Sequence, residues 1–125
     1  MKLTLFSFGF KHGCPQANMI WDVRFLPNPY WDAQLREHSG LEEPVAAYVL
    51  SNEIGWQFLQ HFEPLVAFTV HRHQQAGREE LRFAVGCTGG RHRSVAVIEH
   101  LRHFLSEYLD SGDESAVYHR DIDKV

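Results

Sequence analysis

From residue 3 to residue 8, Leu3, Leu5 and Ser7 alternate with Thr4, Phe6 and Phe8, and so β-rich a run predicts a strand. Gly9, Gly13 and Pro15 break it. Residues 19–25 predict a second strand, ended by Leu26-Pro27-Asn28-Pro29, whose prolines remove backbone donors and fix φ. Residues 27–38 follow as a loop anchored by Tyr30 and Trp31. Ser39-Gly40-Leu41-Glu42 has the spacing of a capping box, with Pro44 tolerated in the first turn of a short helix that runs through Val49. In the next helix Ile54, Phe58, Phe62, Leu65 and Thr69 recur at three- and four-residue steps and mark one buried face, until Gln74-Gln75-Ala76-Gly77 ends it. Residues 81–85 read as a compact strand. From Ser94 onward Val97, Ile98, Leu101, Phe104, Leu105 and Tyr108 define an amphipathic helix; Ser111-Gly112-Asp113 turns the chain into a short last strand at residues 116–119.

Strands alternating with helices give an α/β fold, a mostly parallel sheet of about four strands with helices packed on it. No internal repeat, low-complexity tract or linker divides the chain, so residues 1–125 form a single small domain. The 125 residues suffice for one core, and 44% hydrophobic against 22% charged residues is globular composition.

A net charge of -4 excludes a general attraction to nucleic acid or anionic membrane, so any anion site must be local. Two cysteines, Cys14 and Cys87, make no disulfide framework, and Cys14 carries no chemistry. The apolar opening lacks a small-residue cleavage site and runs into Lys11 and His12. No stretch approaches the roughly 20 apolar residues of a membrane span. A reduced, cytoplasmic protein without a membrane partner is the expectation.

The chemistry concentrates in Gly86-Cys87-Thr88-Gly89-Gly90-Arg91-His92-Arg93-Ser94. A strand, a glycine turn and a helix start bring unpaired N–H groups together at the positive end of a helix dipole. Gly89 and Gly90 allow close backbone approach to a ligand, Arg93 can clamp a phosphate with two donors, and Thr88 and Ser94 add hydroxyls. The site would lie beyond the carboxyl end of the strand, as in other open α/β sheets. No Lys stands at the helix entrance with Walker spacing, which argues against ATP hydrolysis by this chain. The same loop also reads as Cys, five residues, Arg and then Ser, which resembles the signature of cysteine-dependent phosphatases. In that alternative Cys87 attacks phosphorus, Arg93 holds the equatorial oxygens, and Asp22, Asp32 or His12 protonates the leaving oxygen.

Asp22 and Arg24 share a strand face, either as a structural ion pair or with Arg24 arranged toward the anion. Lys11 and His12 are the other candidate rim of the site, or plain surface. The nine histidines do not assemble a metal site: His71 and His73 face apart, and His100 and His103 lack ligand-spaced partners other than Glu99 and Glu107. Neither a metal nor a cofactor is expected. Arg91, His92, Arg93, Arg102 and His103 read better as a solvated helix face near an anion pocket than as an RNA strip.

The blocks Ser7-Phe8-Gly9-Phe10-Lys11, Asp22-Val23-Arg24-Phe25-Leu26-Pro27-Asn28-Pro29, Ser39-Gly40-Leu41 through Pro44-Val45-Ala46, and the Gly86–Val95 loop together resemble the C-terminal domain family of the RNase adapter protein RapZ. That resemblance implies a regulatory domain that binds glucosamine-6-phosphate and a small RNA, and that assembles into homo-oligomers. In full-length members it follows a Walker-type kinase-like domain, so this chain is expected to be a stand-alone relative or an excised domain. By motif, Thr88, Gly89, His92 and Arg93 would hold the sugar phosphate, with Cys87 beneath and Arg24 or Lys11 nearby. Two departures bear on this. Members carry His where this chain has Tyr30, a position placed against the sugar. Their tails are also basic, whereas residues 107–125 hold six acidic residues against Arg120 and Lys124, which weakens the case for RNA.

Overall fold

The computed structural model describes residues 1–125. Its strands are β1 (Lys2–Gly9), β2 (Met19–Asp22), β3 (Glu80–Cys87) and β4 (Glu114–His119), and its helices are α1 (Glu43–Leu50), α2 (Glu53–Gln75) and α3 (Arg93–Leu105). Short 3-10 turns lie at Phe10–His12 and Pro29–Trp31. The sheet has the order β2-β3-β1-β4, and every neighbouring pair is parallel. The expected α/β fold is therefore present as a four-stranded parallel sheet with three helices.

All three helices pack on one face. There Leu3, Leu5, Leu81, Phe83 and Val85 from the central strands meet Val49 and Leu50 of α1, Phe62, Val66 and Val70 of α2, and Ile98, Leu101 and Leu105 of α3. The alternate residues Phe6, Phe8 and Ala84 point the other way, as the two-residue period of a strand requires. No helix covers this second face. It is closed instead by Phe10 and Ala17 of the β1–β2 connection, by Tyr118 stacked 4.8 Å from Phe6, and by the guanidinium groups of Arg82 and Arg120, 4.9 and 5.5 Å from the Phe6 and Phe8 rings.

Three local expectations need correction. The second strand stops at Asp22 rather than residue 25, because the Asp22 carboxylate accepts the Arg24 N–H (2.9 Å) and turns the backbone. One limb of the capping box forms, the Ser39 N–H donating to Glu42 Oε2 at 3.1 Å, but Ser39 Oγ accepts from Leu41 N–H and closes a turn. The Gly40 N–H is drawn to the Arg91 carbonyl (2.8 Å), and the helix starts only after Glu42.

The buried row of α2 is Gly55, Phe62, Val66 and Val70, while Ile54 and Leu65 are 51% and 44% exposed. The sequence offers two apolar rows about one residue apart. The row with Gly and Val at its closest points wins, since it lets the helix approach the sheet and α1 more tightly.

Phe62, with Trp21 4.9 Å and Phe58 4.6 Å away between ring centroids, should cost about 3–5 kcal/mol when cut to Ala. Leu65→Ala should cost less than about 1 kcal/mol. Urea denaturation of the two variants checks the assignment of the buried row.

Candidate anion-binding site

Because the strands are parallel, Gly9, Asp22, Cys87 and His119 all end their strands at the carboxyl end of the sheet. The connection leaving β1 crosses the second face to reach β2, and the one leaving β3 enters α3 on the helical face. The two chains diverge there and leave a crevice, the usual ligand position of such sheets. Gly9 lies opposite Cys87 in the β1–β3 register. Gly90 has φ +80, and a Cβ there would stand 2.6 Å from the Gly9 nitrogen and 3.0 Å from Asp121 Cβ. The loop is thus pressed backbone to backbone on the end of β1, and Lys11 N–H donates to the Thr88 carbonyl at 3.2 Å.

None of the 27 backbone hydrogen bonds made outside helices and strands is donated by Gly89, Gly90, Arg91 or His92. These amides precede α3, whose dipole places partial positive charge at the same point. Arg93 opens that helix and is only 6% exposed. Its Nη1 donates to the carbonyls of Arg24 and Leu26, and its Nη2 to Thr88 Oγ1 at 3.4 Å. Its buried Nε has no partner, and no carboxylate pairs with the guanidinium. A buried cation without a carboxylate within ion-pair distance is costly by several kcal/mol, a cost that an anion bound beside it would offset.

The crevice has a volume of about 600 Å³. Of the residues expected from sequence, Lys11, Tyr30, Cys87, Thr88, Gly89, Arg91, His92 and Arg93 line it. Gly90 shapes the loop from behind, and Ser94 is fully buried, sharing a hydrogen bond with Cys87 Sγ at 3.1 Å. Arg24 does not line the crevice. It grips Asp22 (Nη2 to Oδ2, 2.6 Å) and stacks 4.2 Å over Phe10, so the ion-pair reading describes this pair. The hydrogen bond from Arg24 holds the Asp22 carboxyl below the usual carboxylate range, which is the wrong direction for a general acid. His12 lies off the lining, and the Asp32 carboxylate caps the Gln34 N–H at 2.9 Å.

His92 has a committed ring. Its Nε2–H donates to the Arg36 carbonyl at 3.0 Å, and burial pushes its pKa below 6.5. Arg102 and His103, one helix end away, are exposed, and Arg102 pairs with Glu99 at 3.6 Å.

Sequence reasoning missed Asn28, Trp31, Arg36, Glu37, Lys124 and Val125, which complete the wall. Asn28 and Trp31 lie in the loop of residues 27–38, which was read only for its aromatic anchors, and the others stand out by no local pattern. Arg36 lies 4.7 Å over the Tyr30 ring and donates to the Tyr30 carbonyl at 2.7 Å, which folds that loop over the crevice. Across the rim five cations, Lys11, Arg36, Arg91, Arg93 and Lys124, face a single carboxylate, Glu37.

The chain matches the sequence family described as the RapZ C-terminal domain over residues 1–123. It is 46% identical over 125 residues to a protein of Nocardia farcinica and 42% identical over 123 residues to one of Dictyoglomus thermophilum, both named nucleotide-binding protein. A Rhodococcus jostii protein of similar name is 45% identical over 123 residues. In each case the match covers 98% of this chain but 40% of the relative, so the chain spans about two-fifths of their length.

Gly90→Ala, which meets both a positive φ and the Gly9 backbone, should destabilise by about 2 kcal/mol and lower the thermal midpoint. Stability should also decline as pH falls through about 6.5, because unfolded His92 binds a proton more readily than the folded, buried ring does. Urea midpoints of wild type and His92→Gln between pH 5 and 8 check the sign: the pH slope should flatten in the variant.

Proposed function

We propose, from the fact that this chain belongs to the RapZ C-terminal domain family and from the geometry of its loop, that it is a regulatory domain whose crevice holds a phosphorylated small metabolite. The observation that carries this reading is Arg93, a buried guanidinium with a free Nε and no acidic partner, placed beside four unpaired amides at a helix start. A phosphate there would take charge-assisted hydrogen bonds from Arg93, from the amides of residues 89–92 and from Thr88, with Lys11 and Arg91 at the rim. An amino-sugar phosphate such as glucosamine-6-phosphate fits the remaining wall. Glu37 is the acidic residue of that wall, suited to an ammonium group or sugar hydroxyls, and Tyr30 and Trp31 supply apolar faces. Tyr30 stands where the family resemblance implies a His, so sugar preference is the property most open to change in this chain. The output would be occupancy passed to a partner, a protein or an RNA, rather than turnover.

A second reading has one observation in its favour. Cys87 lies at the base of the crevice, six residues before Arg93, with the Ser94 hydroxyl on its sulfur, as phosphocysteine chemistry would require. The acid that such chemistry needs is harder to assign, since Asp22 is tied to Arg24 outside the crevice.

Thermal denaturation with inorganic phosphate, glucosamine-6-phosphate and nucleotides, alongside a phosphate-release assay, separates the two. One sugar phosphate at a hundred times its Kd should stabilise the domain by about 2.7 kcal/mol, and Arg93→Ala should abolish the effect. Cys87→Ser should keep that stabilisation. Phosphate release that disappears in Cys87→Ser would instead establish the phosphatase.

A further inference from the structure

We infer that Lys124 is an anion-binding residue of the crevice, held at its rim by the buried carboxylate of Asp121. The inference rests on the phosphate-site reading and adds to it a wall that the acidic composition of the tail conceals. After β4 the chain turns back across the end of the sheet, and the Arg91 Nε–H donates to the Ile122 carbonyl at 3.1 Å, joining this segment to the anion loop. Asp121 is fully buried, and its Oδ2 accepts the Gly9 N–H at 2.7 Å. Arg120 donates to the same carboxylate (Nη2 to Oδ2, 2.8 Å) and to the Gly13 carbonyl (2.6 Å). Lys124 Nζ completes the set at 2.7 Å from Oδ1.

Two cations and an amide therefore converge on one buried carboxylate, directly behind Gly90. Burial by itself would push the Asp121 carboxyl up, but its hydrogen bonds with Arg120, Gly9 and Lys124 outweigh that and hold it well below the usual range. Arg120 is spent on this anchor, whereas Lys124 is about half exposed and lines the crevice. Its ammonium has three donors, and the single oxygen recorded for it leaves the others for a phosphate. Asp121 thus acts as a positioning residue for Lys124 and for the loop beneath it.

Calorimetric titration of inorganic phosphate at low salt tests this on the full chain. Lys124→Ala should weaken phosphate roughly fivefold and lower the ligand-free thermal midpoint, because the buried Asp121 carboxylate loses one partner, whereas Lys124→Arg should keep most of both. Asp121→Asn should weaken phosphate at least as much, and adding Lys124→Ala to it should cost little more, since the two share one contribution. If Asp121→Asn does not fold, the Lys124 pair of variants decides alone. Unchanged affinity in Lys124→Ala, beside a loss in Arg93→Ala, would overturn the role of Lys124 and leave the site intact. Failure of the wild type to bind phosphate at all would overturn both readings.

Discussion

A guanidinium taken out of water without a counter-ion sets the terms for this end of the molecule. Such a group is tolerated only where carbonyls and hydroxyls replace its hydration. The Arg24 and Leu26 carbonyls do this for Arg93, and they are available because the chain leaves β2 at Asp22 in a turn rather than continuing as a strand. The early end of β2, the Asp22–Arg24 pair and the start of α3 are therefore one arrangement. Arg24 contributes its backbone to the site while its side chain is used to hold the turn.

The second requirement is contact between backbones. Gly9 and Gly90 let the end of β1 and the anion loop touch, and the carboxylate of Asp121 fills the remaining space behind them. Side chains at either glycine would push the loop outward and spread the amides that now share one focus. Affinity for an anion depends on several donors pointing to one place, so a displacement of this packing would weaken them together. Three segments distant in sequence meet at the loop and hold it in place.

That dependence on distant segments explains which parts were legible from sequence. Strands β1 and β3, helix α3 and the anion loop were readable because each announces itself locally, through alternation, helical spacing or glycines beside a cation. The Gly90 loop and the Arg93 helix start stood out for the same reason. The buried row of α2 was not, because Ile54 and Leu65 are as apolar as Val66 and Val70, and only the approach of the sheet decides between rows a residue apart. Ser39 and Glu42 made the hydrogen bond their spacing promised, but the Arg91 carbonyl drew Gly40 away and postponed the helix. Arg36, Glu37 and Lys124 carried no local signal at all. They belong to the site through chain reversals that place residues more than 30 positions from the loop against it.

The tail shows how composition can mislead about electrostatics. Its acidic residues outnumber its cations, yet the one carboxylate that faces the loop, Asp121, is consumed internally by Arg120, Lys124 and the Gly9 amide. What reaches the crevice from this segment is Lys124 together with Val125, so a stretch that is acidic by count places a lysine there. The same asymmetry runs through the whole chain: the net charge is -4, but the rim sets five cations against Glu37. Field lines in a crevice are governed by the charges that line it and the low-dielectric walls behind them. A net negative charge and a locally positive crevice are therefore compatible in one small domain.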